Sequence, residues 1–525
     1  MYRMVDQRLE RLARVDADCL SGGGRGVEKE SLRVGPDGRI SATPHPRALG
    51  AALTHPWITT DYSEALLEFV TPPQSSCWET LQFLCDVHQF VYPRLPDDEL
   101  LWATSMPCAV GGDASIPVAR FGTSNVGRMK HIYRLGLGYR YGRVMQTIAG
   151  VHFNYSLPDR FWRAFREIEG WSGSEREFRD RMYFGLLRSY RRFGWIVLYL
   201  FGASPALCKS FLGGRDPGLP EFDQGTCYGP HATSLRMSDL GYRNTSQAGI
   251  HLSMNALDEY IEGLEEAIRA PWPPYEKIGV APNGKWRQLS TSALQIENEY
   301  YGFIRPKQPI LGGERPTVAL RRAGVAYMEV RALDVSPYDP AGVSQNELRF
   351  LEAFLVFCML HDSPPMDEAE IEHLDDNHAR VAVAGRRPDL SLVIAGVEKP
   401  VAEWGRELCR QLAPICRLLD RDDPSRSYSA ALELQAAKLE DPSLTPSARI
   451  LAEMRQERES FFRFALRMSQ QHREYFSSLP PMSPVRLAEF AAEAEHSLRA
   501  QQELEQSETE PFEQYLARYF ARAGA

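Results

Sequence analysis

Two carboxylates, Glu28 and Glu30, lie two positions apart in the run RGVEKESLRV (residues 25–34). The run reads as a β-strand, and side chains at i and i+2 leave the same face of a strand about 7 Å apart. Such a pair is either a solvated face or half of a cation site, because buried carboxylates need strong positive charge beside them. Three further segments carry polar faces. In GVHFNYS (150–156), Val151, Phe153 and Tyr155 alternate with His152, Asn154 and Ser156. In GVAYMEVRAL (324–333), Ala326, Met328 and Val330 alternate with Tyr327, Glu329 and Arg331, and LQIENE (294–299) groups Gln295, Glu297 and Glu299 if it is a strand. In TTDYSEALLEFVT (59–71), Asp61, Glu64 and Glu68 share a face of a helix, and Glu64 with Glu68 one face of a strand. Carboxylates from separate segments joined by one histidine suit hard divalent cations, since Mg2+ and Mn2+ prefer oxygen ligands. Spacing alone leaves open whether the segments meet.

The elements that must position these residues are mixed. LRVGPDGRI (32–40) reads as a hairpin through Pro36-Asp37-Gly38, and IGVAPNGKW (278–286) as another through Asn283-Gly284, so antiparallel sheet is expected. Residues 174–190 have helical apolar spacing behind a Ser174 cap, and residues 345–360 form another helix by period. The apolar run WIVLYLF (195–201) reads as a buried helix, far short of the roughly 20 residues that span a bilayer. From about residue 400 the chain is mostly helical. The expected fold class is α+β: a catalytic part over residues 1–365 built on antiparallel sheet, and a mainly helical part over 366–525.

The bulk composition narrows the function. The 525 residues carry a formal net charge of −9 with basic residues spread along the chain, which argues against nucleic-acid or anionic-membrane binding. Nine cysteines lack any Cys-x-x-Cys pair, and no secretory leader precedes them, so a reduced, cytoplasmic protein is expected, with neither a thiolate zinc site nor a disulfide framework. There is no G-x-x-x-x-G-K-[ST] loop, and SGGGRG (21–26) reads as a turn before a strand. Any nucleotide must then be held through metal ions and by basic residues such as Arg305 and Lys307 in IRPK (304–307).

Taken in order, residues 25–34, 51–71, FGTSNVGR (121–128), YGRVMQTIAGVHFNYSL (141–157), FGW (193–195), YLFGAS (199–204), TSLRMSDLGY (233–242), LQIENEYY (294–301) and YMEVR (327–331) resemble glutamate-cysteine ligases of the proteobacterial type, across most of residues 20–345. The resemblance implies the glutamine-synthetase-like superfamily, with a curved, mainly antiparallel sheet forming a funnel-shaped active site surrounded by helices. It implies ATP-dependent ligation of the L-glutamate γ-carboxylate to the L-cysteine amine through a γ-glutamyl phosphate, the first step of glutathione synthesis. Carried over by motif, Glu28, Glu30, Asp61, Glu68, His152 and Glu329 would bind two or three Mg2+ ions, with Mn2+ an alternative, and Arg331 and Arg236 would be catalytic. Tyr62, Tyr133, Arg134, Gln146, Arg236, Tyr242 and Tyr301 would line the amino-acid pockets, and Arg305 and Lys307 would meet the nucleotide. The implied partners are ATP, L-glutamate, L-cysteine and glutathione as a feedback ligand. A ligase with another acceptor amine, and a non-catalytic binding module, are the alternative readings. The short, helical C-terminal part argues against a second ligase domain.

Overall fold

The computed structural model describes residues 2–241, 250 and 252–521. Its strands, in chain order, are β1 (Gly24–Val34), β2 (Ile58–Thr60), β3 (Leu66–Val70), β4 (Leu100–Leu101), β5 (Gly150–Ser156), β6 (Ala206–Cys208), β7 (Thr226–Tyr228), β8 (Ile304–Lys307), β9 (Tyr327–Asp334), β10 (Ser391–Ile394) and β11 (Val397–Pro400). Seven form one open sheet in the order β2-β3-β1-β5-β9-β8, with β4 also on β1, and every pairing is antiparallel. The alternation seen in β1, β5 and β9 gives the sheet one polar face. Its other face is closed by helices: Cys77–Val91 packs on β1, and Trp195–Phe201 on β9. Behind them Gln345–Leu360 packs against Glu175–Phe193 and the C-terminal helices Val401–Leu419 and Ser427–Glu440. Both expected helix starts are capping boxes, Ser174 with Glu177 and Ser344 with Glu347, each satisfying two otherwise orphaned N–H groups.

Several expectations are corrected. The Asn283-Gly284 turn exists, with φ of 54° and 73°, but no strands flank it: only the Arg287 and Gln288 N–H groups reach back, both to Val280. Residues 294–299 are not a strand either, since Glu297–Glu299 is a 3-10 turn whose acids pair with Arg315 and the sequence-distant Arg140. The Pro36-Asp37-Gly38 turn closes on a single bridge, Val34 to Ile40. The C-terminal part contains a hairpin, β10–β11, turned by Ala395 and Gly396 with φ of 49° and 75°. Cys108 and Cys208 form a disulfide, against the expectation of none: 100 residues apart, they are brought together where the loop after β4 meets β6. Among the described residues no helix is long and apolar enough to cross a membrane.

Candidate active site

Strand register assembles the site. Opposite residues of an antiparallel pair share a face, so Glu28 stands beside His152, Glu30 beside Glu68, Asn154 beside Glu329, and Arg305 beside Glu329. Five strands, β1, β3, β5, β8 and β9, thus place these polar and charged residues on one face. Glu28, His152 and Glu329 offer ligand atoms that all lie within 4.8 Å of one another. His152 Nδ1 donates to Glu28 Oε2 at 3.1 Å, and Asn154 Nδ2 donates to Glu28 Oε1 at 2.9 Å. The His152 Nε2 is 3.9 Å from Glu30 Oε1, while Gly150 N–H donates to Glu30 Oε2 at 2.6 Å. Asp61 occupies the tight turn between β2 and β3, where its backbone C=O accepts from Arg134.

The electrostatics show carboxylates in excess. Burial pushes the Glu30 carboxyl up to about 8, with Asp61 adding to the shift. Burial also raises Glu68 well above the usual carboxylate range, reinforced by Glu28, Asp61 and Glu30. Burial works the same way on Glu329, but Lys307 at 3.5 Å and Arg331 at 3.1 Å, with His152, hold it far below that range. For Glu28, burial and Glu329 push the carboxyl up, but the hydrogen bond from His152 together with the nearby His152 and Lys307 brings it below the usual range. Burial, with Arg331, keeps His152 itself neutral against the pull of these acids. One oxygen of Glu329, Oε2, is buried without a hydrogen-bond partner. A neutral imidazole and clustered carboxylates with an orphaned oxygen fit a hard divalent cation.

The remaining expected residues gather around this cluster. The helix Asn125–Tyr141, capped by Ser124, brings Tyr133 and Arg134 to the Asp61 turn. Tyr62 is buried beside the same turn, its hydroxyl against Gly138, where any side chain would collide with it. Gln146 and Tyr301 meet at 3.3 Å. Arg305 is buried and donates to the Asn298 C=O, and Lys307 reaches Glu329. Arg236 lies at the end of β5 and β9, donating to the Arg331 C=O at 3.2 Å. Tyr242 falls outside the described residues. Glu64 turns away, accepting instead from the N–H groups of His45 and Arg120. Two residues not singled out from the sequence belong to the surroundings. Asn154 holds Glu28 and was legible as the polar neighbour of His152 in β5. Lys130, whose ammonium burial brings down to about 8 between Arg134 and Glu68, carried no pattern of its own.

A buried cluster of acids and one histidine beside arginines, on the polar face of an open sheet, defines a site for a hard cation and an anionic ligand. The model of the glutamate-cysteine ligase family matches residues 9–381. Curated glutamate–cysteine ligases of Alcanivorax borkumensis and Pseudomonas aeruginosa are 47% and 48% identical over 98% and 96% of this chain, covering 99% and 94% of their own lengths. The crystal structure of the Francisella tularensis glutamate–cysteine ligase in complex with AMP superposes with a TM-score of 0.90 at 34% identity, covering 96% of this chain and 98% of that one. A bifunctional glutathione synthetase from Pasteurella multocida matches with a TM-score of 0.70 and 25% identity, over 90% of this chain and 54% of that one. The chain belongs to the glutamate-cysteine ligase family.

Proposed function

We propose that the protein joins the γ-carboxylate of L-glutamate to the amine of L-cysteine at the expense of ATP, the first step of glutathione synthesis. A carboxylate is a poor acyl donor, so its oxygen first attacks the γ-phosphorus of ATP and ADP leaves. The cysteine amine then attacks the acyl carbon of γ-glutamyl phosphate, and phosphate leaves. The observation that carries this reading is the meeting of Glu28, His152 and Glu329, with Glu30 and Glu68 beside them on the same face. Divalent cations, Mg2+ or Mn2+, held by Glu28, Glu30, Asp61, Glu68, His152 and Glu329, supply the charge neutralisation that lets two anions approach. Arg331, paired with Glu329 at the rim of the cluster, faces the transferring phosphoryl group, and Arg305 and Lys307 on the edge strand face the polyphosphate. Arg236 and Gln146 orient the donor amino acid. Tyr62, which is buried, and the half-buried Tyr133, Arg134 and Tyr301 shape the acceptor pocket and limit water at the acyl phosphate, and the family motif adds Tyr242 to them.

The test is purified protein with ATP, Mg2+ and glutamate, reading ADP release as single amines are added. Release that depends on cysteine supports the reading. Equal release with ammonia or other amino acids reassigns the acceptor, and none with any amine removes the ligase reading for this site.

A further inference from the structure

We infer that Asp334, with Gly150 opposite it, is the positioning pair for Arg236, and through it for the donor amino acid. The inference rests on the reading of Arg236 given above and names the groups that make it work. The register of β5 against β9 shifts between Val151 and Phe153. Simple alternation along β9 would carry Glu329 and Arg331 on to Leu333 and turn Asp334 into the apolar layer. Instead Val151 pairs with Leu333 and Phe153 with Val330, so three steps on β9 answer two on β5. That bulge shifts the phase of the strand, as bulges do where a side chain must be re-aimed. Leu333 stays with the apolar residues, and Asp334 lands opposite Gly150 on the face that holds His152 and Glu329.

Once there, the carboxylate is fully committed. Its Oδ2 accepts from the Ala203 N–H at 2.7 Å and its Oδ1 from the Ser234 hydroxyl at 2.9 Å, two residues before Arg236. The same Oδ1 is 3.6 Å from Arg236 Nη1, with both side chains almost wholly out of solvent. Gly150 completes the arrangement: a Cβ there would collide with the Arg236 guanidinium, so only glycine leaves room for it. The backbone of Gly150 also holds Glu30. One cross-strand pair therefore sets the distance between an acid of the cation cluster and the arginine of the amino-acid wall. Asparagine cannot replace Asp334 silently, because both oxygens accept from donors and an amide NH2 would face one of them.

Three variants test the inference. Asp334→Asn and Gly150→Ala are each expected to raise KM for glutamate by about 10- to 100-fold, the scale of a misplaced binding group, while KM for ATP stays within about twofold and the thermal midpoint of Gly150→Ala is unchanged. Arg236→Gln is expected to raise KM for glutamate at least as much, and adding Asp334→Asn or Gly150→Ala to it should cost little more, the non-additivity of residues acting through one group. A parallel rise in both KM values, or full additivity in the double variants, overturns the positioning role. If Asp334→Asn does not fold, Gly150→Ala decides by the same readouts. An unchanged glutamate KM in Arg236→Gln instead refutes the reading of Arg236 itself, whatever the other two variants do.

Discussion

The two faces of β1 handle buried charge in opposite ways. Toward the helices it presents Arg25 and Arg33, each ion-paired, with Glu352 and with Glu99 at 2.8 Å, and Lys29, whose ammonium burial brings down to about 7 and which meets the neutral His88 Nε2 at 3.0 Å. Toward the site it presents Glu28 and Glu30 beside Glu68 and Glu329; Lys307 and Arg331 pair with Glu329, while Glu30 and Glu68 are crowded by neighbouring acids that push their carboxyls up. On the first face charge is neutralised inside the protein and costs about as much as it returns. On the second the charge that neutralises Glu30 and Glu68 must come from outside, and a binding site is made by leaving out the partner. Glu297 and Glu299 follow the first rule, with Arg315 and Arg140 each 2.9 Å away.

The contrast breaks most visibly in the acids. Glu28→Gln or Glu329→Gln should lower turnover about a thousandfold, on the scale of losing transition-state charge stabilisation, with the thermal midpoint kept or raised. Glu352→Gln should do the reverse. It strands Arg25 and removes the acceptor of Tyr428, so urea denaturation should show a loss of about 3–5 kcal/mol, with turnover per folded molecule within a few-fold.

A pH series separates the regions again. Burial keeps His55, His361 and His472 neutral, each brought down to about 4 from the ordinary value of 6.5. The unfolded chain takes up these protons first as pH falls, so their contribution to stability is complete above about 6.5 and lost progressively down to about 4. That loss is opposed over the same window by Glu30, whose raised carboxyl takes up its proton in the folded chain below about 8. The histidine share is therefore the difference between the parent and His472→Gln, whose thermal midpoint should fall less between pH 6.5 and about 4. The smallest effect is expected from Lys29→Met, which exchanges a buried amine held by one hydrogen bond to neutral His88 for an apolar chain of similar volume. Denaturation should move by about 1 kcal/mol or less.

Much of the site was legible because alternation is a local property. The polar faces of β1, β5 and β9 follow from residue order alone, and so does the direction in which Lys29 points. What could not be read was set by long-range contacts. The segment 294–299 has the acids of a polar strand face, but Arg140 and Arg315 draw its glutamates into a turn. Glu64 fits the spacing of Asp61 and Glu68 and is claimed by two backbone N–H groups from other loops. The Cys108–Cys208 bond joins residues with no motif between them. Asp334 was hidden for a different reason: its face depends on a bulge, which period-2 reading cannot anticipate.

The most direct measurement is Mn2+ binding without nucleotide, followed by electron paramagnetic resonance, in the parent protein, Glu329→Gln and Glu299→Gln. Saturable binding in the parent and in Glu299→Gln, with loss in Glu329→Gln, is the expected result. Equal binding in all three would contradict the assignment of the Glu28, His152 and Glu329 cluster as the cation site.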